Sequence, residues 1–198
     1  MSSHVLCRVW PGELPADLCG LIVDLGDSLT AVKATVTDER VTGGKRLAED
    51  VRRTDVGFWN ETHWINGLLA HYALLANRET WNFDLALMPG VQYATYTEQS
   101  FFSWHIDELP NPYGPLAPAR WIGLNRKLSV IVNLSGSEAY EGGDVQLRDR
   151  IGNPMAIDRI RERGTVLVFP SNVAHTVTPV TSGVRNSLVG WYLGWPLR

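Results

Sequence analysis

His105 and Asp107 stand two apart in SFFSWHIDELP (residues 100–110), in the middle of an aromatic stretch. A carboxylate is rarely buried unless something pairs with it or it holds a metal. Side chains alternate along a strand, so Phe101, Ser103, His105 and Asp107 share one face if this stretch is extended. The two polar groups then sit roughly 7 Å apart at their Cα atoms. An imidazole and a carboxylate aimed the same way are two arms of a metal site. Of the five histidines in the chain, the other four could supply a third. His4 lies in the terminus, and His63 and His71 fall eight apart on a predicted helix, where they read as surface or packing residues. His175 opens a strand after the turn Phe-Pro-Ser-Asn, and a late strand can lie beside a much earlier one. Two histidines and one carboxylate on a rigid sheet form the facial set that holds Fe(II) and leaves other positions open.

Arg185 extends this chemistry. With residues 180–184 as a hairpin connection, Pro179 pairs with Arg185, Val177 with Ser187 and His175 with Val189. Alternation then puts His175, Arg185 and Ser187 on one inward face, the guanidinium about 10 Å from the histidine. A buried cation needs an anionic partner. 2-Oxoglutarate meets both demands: its 2-oxo and C1 carboxylate groups can chelate iron, and its far carboxylate can pair with Arg185.

These groups must be held by strands. After about Asn82 come short β-branched and aromatic runs (VQYATY, SFFSWHID, KLSVIVNLS, GDVQLRD, MAIDRI, GTVLVF, AHTVTPV, RNSLVGWYLG) separated by Gly, Pro and Asn turns. About eight such strands predict a sandwich or barrel. Before them, apolar residues at helical spacing (Leu18, Leu21, Ile22, Leu25) predict one helix. NETHWINGLLAHYALLANRETW predicts another of about five turns, capped by Asn60, with Trp64, Leu68, Tyr72 and Leu75 on one face. Residues 35–55 read as a surface loop or hairpin. The helices are expected on the outer face of one sheet. Residues 108–126, rich in proline, leave directly from the site and read as a lid. EGGD (141–144) reads as a turn, and DRIRER (158–163) as a solvated face.

The totals narrow the class. The chain has 198 residues, enough for one domain with a substantial core. Eight tryptophans point to bulky packing between layers or aromatic pocket walls. A net charge of -3 gives no footprint for nucleic acid or anionic membrane. Cys7 and Cys19 form neither a disulfide framework nor a CxxC site. No apolar run approaches a membrane span, and the first residues lack a signal-peptide core. A cytoplasmic protein is the expectation.

HID (105–107), His175 and the Arg185-Asn186-Ser187 triplet resemble the Fe(II)/2-oxoglutarate-dependent dioxygenases, in particular their prolyl-4-hydroxylase-like branch. The likeness covers about residues 51–194 and includes the Glu-Gly-Gly turn and the C-terminal block. It implies a double-stranded β-helix (jelly-roll) core over about 86–194, with helical support over about 1–85, in a single oxygenase domain. It implies that His105, Asp107 and His175 ligate iron and that Arg185 binds 2-oxoglutarate, with Tyr96 and Ser187 assisting. O2 would be consumed, succinate and CO2 released, and an unactivated C–H bond hydroxylated. A protein or peptide side chain is the expected substrate, with a free amino acid or small metabolite as the alternative. A jelly-roll metal-binding or interaction protein is the non-enzymatic alternative. Two features depart from the branch: many members carry lysine where this chain has Arg185, and the glycine often found after the tyrosine is absent from YTEQSFF.

Overall fold

Asn125–Asn133 shows how the core is laid down. Its side chains alternate: Leu128, Val130 and Val132 point one way, Ser129, Ile131 and Asn133 the other. In the computed structural model, which describes residues 5–37 and 45–196, the first set packs with Val166, Val168 and Leu188 beneath the helices. Ile131 instead joins Leu167, Phe169, Val145, Leu147 and Val177 in a second core between two sheets. From Lys127 to Asn133 every residue of the strand is buried on one face or the other, which is why its centre, Leu128–Val132, is apolar but for Ser129.

The larger sheet runs, neighbour by neighbour, through Arg8–Trp10, Val166–Pro170, Asn125–Asn133, Arg185–Gly194, Gly90–Tyr96, Asp55–Asn60 and Val32–Lys33. The smaller runs through Pro154–Ala156, Val145–Arg148, His175–Val177, Phe101–His105 and Arg52–Arg53. The pairings are antiparallel. From Gly90 onward the long strands of the larger sheet alternate along the chain with strands of the smaller, which is jelly-roll connectivity. The N-terminal part supplies strands as well as helices, since Arg52–Arg53 and Asp55–Asn60 extend both sheets.

The expected hairpin between residues 175–179 and 185–189 does not form. Pro179 has no N–H for such a ladder, and its carbonyl accepts from Gly143 N instead. Val180–Gly183 pairs with Tyr140–Gly142 and carries the chain from the smaller sheet to the larger. His175 therefore lies opposite His105, and Arg185 opposite Tyr96 on the other sheet.

Helices α1 (Ala16–Asp27) and α2 (Trp64–Ala76) cover the outer face of the larger sheet. The buried face of α2 is Ile65, Leu69, Tyr72 and Ala76, while Trp64 is exposed. The buried face is thus offset from the expected Trp64, Leu68, Tyr72 and Leu75 stripe, sharing only Tyr72 with it. Fully burying Leu69 contributes about 1.5–3 kcal/mol. His63, not Asn60, caps α2, accepting from Ile65 N at 3.4 Å. Asn60 ends a strand and accepts from Thr62 N in the preceding turn. The polar 35–55 stretch holds a hairpin, Thr35–Thr37 against Lys45–Leu47, whose tip lies outside the described residues, as does His4.

Candidate functional site

Asp107 lies two residues beyond the strand Phe101–His105, where its N–H donates to Ser171 O at 2.9 Å. This bond ties the HxD segment to the larger sheet just after Val166–Pro170 and aims the carboxylate between the two histidines. His105 Nε2 stands 3.6 Å from Asp107 Oδ1, and His175 Nε2 stands 3.4 Å from Asp107 Oδ2. The donor atoms of the three residues lie within 4.8 Å of one another.

The other ring nitrogens set the tautomers. His105 Nδ1 lies 2.8 Å from Ser103 O, and His175 Nδ1 lies 3.1 Å from Val173 O. A carbonyl can only accept, so each Nδ1 carries a proton, and Nε2 is the nitrogen that faces Asp107 and is left to ligate a metal. Burial, and then the His175 ring, push the His105 pKa down to about 3, leaving a neutral imidazole at neutral pH. Burial opposes ionisation of Asp107, but His175, His105, Arg126 and the Ser129 hydroxyl outweigh it and hold the carboxyl below its ordinary range. Ser129 Oγ donates to Asp107 Oδ2 at 2.7 Å and lies 3.0 Å from Ser171 Oγ. Two imidazoles and one carboxylate are the donor set that suits non-haem Fe(II).

Arg185 is 2 % exposed, and among the described residues no carboxylate lies within ion-pair reach of it. Its guanidinium sits 5.3 Å from the Tyr96 ring and donates to Ser187 Oγ at 3.4 Å. Arg185, Ser187 and Val189 alternate onto the inner side of the larger sheet, where Val189 lies opposite Ile131. Gly143 makes room for it: a Cβ there would meet Arg185 Cδ at 3.2 Å and Val180 at 2.9 Å, at a φ of +62°. Gly142 needs its bareness too, since a Cβ would fall 2.1 Å from Pro179 O. Arg161, expected on a solvated face, clamps this turn instead by donating to Gly142 O and pairing with Asp144. A buried, carboxylate-free guanidinium with a hydroxyl beside it fits the distal carboxylate of 2-oxoglutarate.

A cavity of about 850 Å³ opens onto His105 and Asp107. Its wall includes His105 and Asp107, the aromatic rings of Phe58, Phe102 and Trp191, and the guanidiniums of Arg52 and Arg126. Arg126 stacks 4.0 Å from the Trp191 ring, and Phe102 stacks on His105. The proline-rich loop meets this cavity through its stem, Glu108, Leu109 and Pro110. Further out it closes on itself, with Tyr113 N donating to Leu124 O and Gly123 N to Tyr113 O, both at 2.8 Å. Asn125 fastens its base, bonding Leu109 N and Leu109 O, each at 2.9 Å.

Ser129, Arg52, Arg126 and Trp191 escaped the sequence reading. Trp191 was within reach, because it alternates with Arg185, Ser187 and Val189. Ser129 was signalled as a lone hydroxyl in an apolar run.

Together the fold and the donor set define a jelly-roll protein with two histidines and one carboxylate grouped so that they could hold a metal ion. The chain belongs to the 2OG-Fe(II) oxygenase superfamily, whose family model matches residues 91–193. It is 33% identical over 90 residues to a PKHD-type hydroxylase of Synechococcus sp., covering 46% of this chain and 35% of that protein. It is 29% identical over 126 residues to a PKHD-type hydroxylase of Cupriavidus metallidurans, covering 61% and 52%. The chain thus spans about a third to a half of the length of these curated relatives. In fold it is similar to a prolyl-4-hydroxylase from Pseudomonas putida (TM-score 0.68, 21% identity, 96% of this chain and 93% of that one). A viral collagen prolyl hydroxylase from Paramecium Bursaria Chlorella virus-1 superposes with a TM-score of 0.67 at 15% identity, covering 98% and 99%.

Proposed function

We propose that the protein is an Fe(II)/2-oxoglutarate-dependent dioxygenase that hydroxylates an unactivated C–H bond, acting as one oxygenase domain. The observation that carries this reading is the pairing of two sites: three metal donors within 4.8 Å of one another, and a buried Arg185 without a carboxylate. His105, Asp107 and His175 hold the iron, and Arg185, with Tyr96 and Ser187 beside it, takes the distal carboxylate of 2-oxoglutarate. When bound, iron and 2-oxoglutarate supply the O2-dependent oxidation that releases succinate and CO2. The protein orients the imidazoles through Ser103 O and Val173 O and keeps Asp107 ionised through Ser129. It also lines the approach to the metal position with the aromatic rings of Phe58, Phe102 and Trp191.

The substrate is proposed to be a protein or peptide side chain, in keeping with the prolyl hydroxylases that share the fold. A second reading, a free amino acid or other small metabolite, is favoured by the cavity, whose volume of about 850 Å³ lies in the range of small-molecule sites. Free thiols at Cys7 and Cys19 suit a reducing, cytoplasmic setting. Among the described residues no helix is long and apolar enough to cross a membrane.

The test is succinate formation from 2-oxoglutarate after anaerobic Fe(II) loading. Iron-dependent turnover is expected in the wild type, lost in His175→Ala, and restored in Arg185→Ala only by high 2-oxoglutarate. Folded wild-type protein that binds neither iron nor 2-oxoglutarate would leave the non-enzymatic jelly-roll reading in its place.

A further inference from the structure

We infer that the substrate presents a carboxylate to Arg52, in the wall of the cavity beside the HxD strand. This rests on the oxygenase reading above and adds the chemical class of the substrate. Arg52 is 7 % exposed, yet its Nε has no hydrogen-bond partner, and no acidic side chain among the described residues lies within ion-pair reach. Its guanidinium stacks 4.5 Å from the Phe102 ring, which stacks on His105 at 3.4 Å, so the cation lies one ring away from a metal ligand. Burial disfavours its charge, while the Tyr96 side chain, hydrogen-bonded to the guanidinium, and the nearby Asp107 carboxylate work the other way. A buried cation left in this state is costly unless an anion arrives to meet it.

The other charged groups facing the cavity do not meet this need. Lys33 is paired with Asp55 at 2.8 Å, and Glu108 with Lys127 at 3.5 Å. Asp107 is committed to the metal position, where a divalent cation offsets its charge. Arg126 adds a second guanidinium, stacked on Trp191 and donating to Asp107 O at 3.4 Å, with its own Nε unpartnered. A metal-loaded cavity is therefore lined by two guanidiniums that form no ion pair with a carboxylate among the described residues. A neutral amide can accept from a guanidinium but supplies no charge. A carboxylate supplies both and can engage the planar fork in a bidentate pair. The carboxylate can belong to a free acid or to an acidic side chain within a peptide.

Mn(II)- and 2-oxoglutarate-loaded protein, titrated under anaerobic conditions and followed by tryptophan fluorescence, tests the inference and separates the two sources. The probes are N-acetylglycine against N-acetylglycinamide, and end-blocked Ala-Glu-Ala against Ala-Gln-Ala. In at least one pair the acid is expected to bind about tenfold or more tightly than the amide. Preference in the first pair assigns a free acid, in the second a peptide side chain. The preference should persist in Arg52→Lys and vanish in Arg52→Gln, with the affinity for 2-oxoglutarate unchanged in both, which also shows that they fold. Equal binding of acid and amide, no binding of any probe, or a preference indifferent to Arg52→Gln overturns the inference. So does weakened 2-oxoglutarate binding in Arg52→Gln, which would assign Arg52 to the co-substrate. Wild-type protein that fails to take up Mn(II) or 2-oxoglutarate strikes the oxygenase reading itself, a failure distinguishable from the others.

Discussion

Ser129 Oγ donates a 2.7 Å hydrogen bond to Asp107 Oδ2, linking the centre of the larger sheet to the carboxylate that sits between His105 and His175. The bond fixes the carboxylate's rotation and leaves Oδ1 toward His105. Partners of this kind orient a ligand without touching the metal, and their loss typically costs 10–100-fold in metal affinity. Ser129→Ala is expected to weaken Fe(II) or Mn(II) binding by about that factor, read by anaerobic titration. Ser129→Thr, which keeps the hydroxyl, should retain more of the affinity. Equal affinity in Ser129→Ala and wild type would show that the bond does not position Asp107.

Gly143 lies against the stem of Arg185 in a left-handed conformation, φ +62°. Gly143→Ala is expected to displace Arg185 and raise KM for 2-oxoglutarate by about tenfold, while metal affinity stays near that of the wild type. The left-handed backbone adds about 1 kcal/mol or more of destabilisation, read by urea unfolding. A change in metal affinity with KM unaltered would contradict this assignment.

Acid should weaken the metal-free protein early. His105 is held neutral when folded, its pKa lowered to about 3, whereas an unfolded histidine takes up a proton near pH 6.5. Below about pH 6.5 the unfolded state therefore binds more protons, and the stability present above that pH is lost as pH falls toward 3. One such proton gives a slope of up to about 1.4 kcal/mol per pH unit. Urea midpoints between about pH 6.5 and 4.5 should fall along this limb in wild type and more shallowly in His105→Asn. Parallel slopes in the two proteins would count against a neutral His105.

Much of the site was legible because period-two alternation is local. Arg185 with Ser187 could be placed as a pair on one strand without knowing any partner strand, whereas Asp107 lies beyond the end of Phe101–His105 and is aimed by its bond to Ser171 O rather than by alternation. Their long-range arrangement was not legible. Adjacency in sequence favoured a hairpin between residues 175–179 and 185–189, but Val180–Gly183 found a partner in Tyr140–Gly142, forty residues earlier, and sent the two strands to opposite sheets. The jelly-roll alternation that brings His175 beside His105 is a property of the whole chain. Arg52 shows the same limit: in VRRTD it is one of two neighbouring arginines, and only the pairing of Arg52 with Phe102 shows which strand the buried one joins.

The most direct test of the account is anaerobic titration of the Fe(II)-loaded protein with 2-oxoglutarate, followed by the visible charge-transfer absorption that bidentate chelation of a 2-oxo acid to iron produces. A saturable band is predicted in the wild type, absent in His175→Ala and requiring much higher 2-oxoglutarate in Arg185→Ala. Folded, iron-loaded wild-type protein that develops no band at saturating 2-oxoglutarate would contradict the claim that the triad and Arg185 serve one co-substrate.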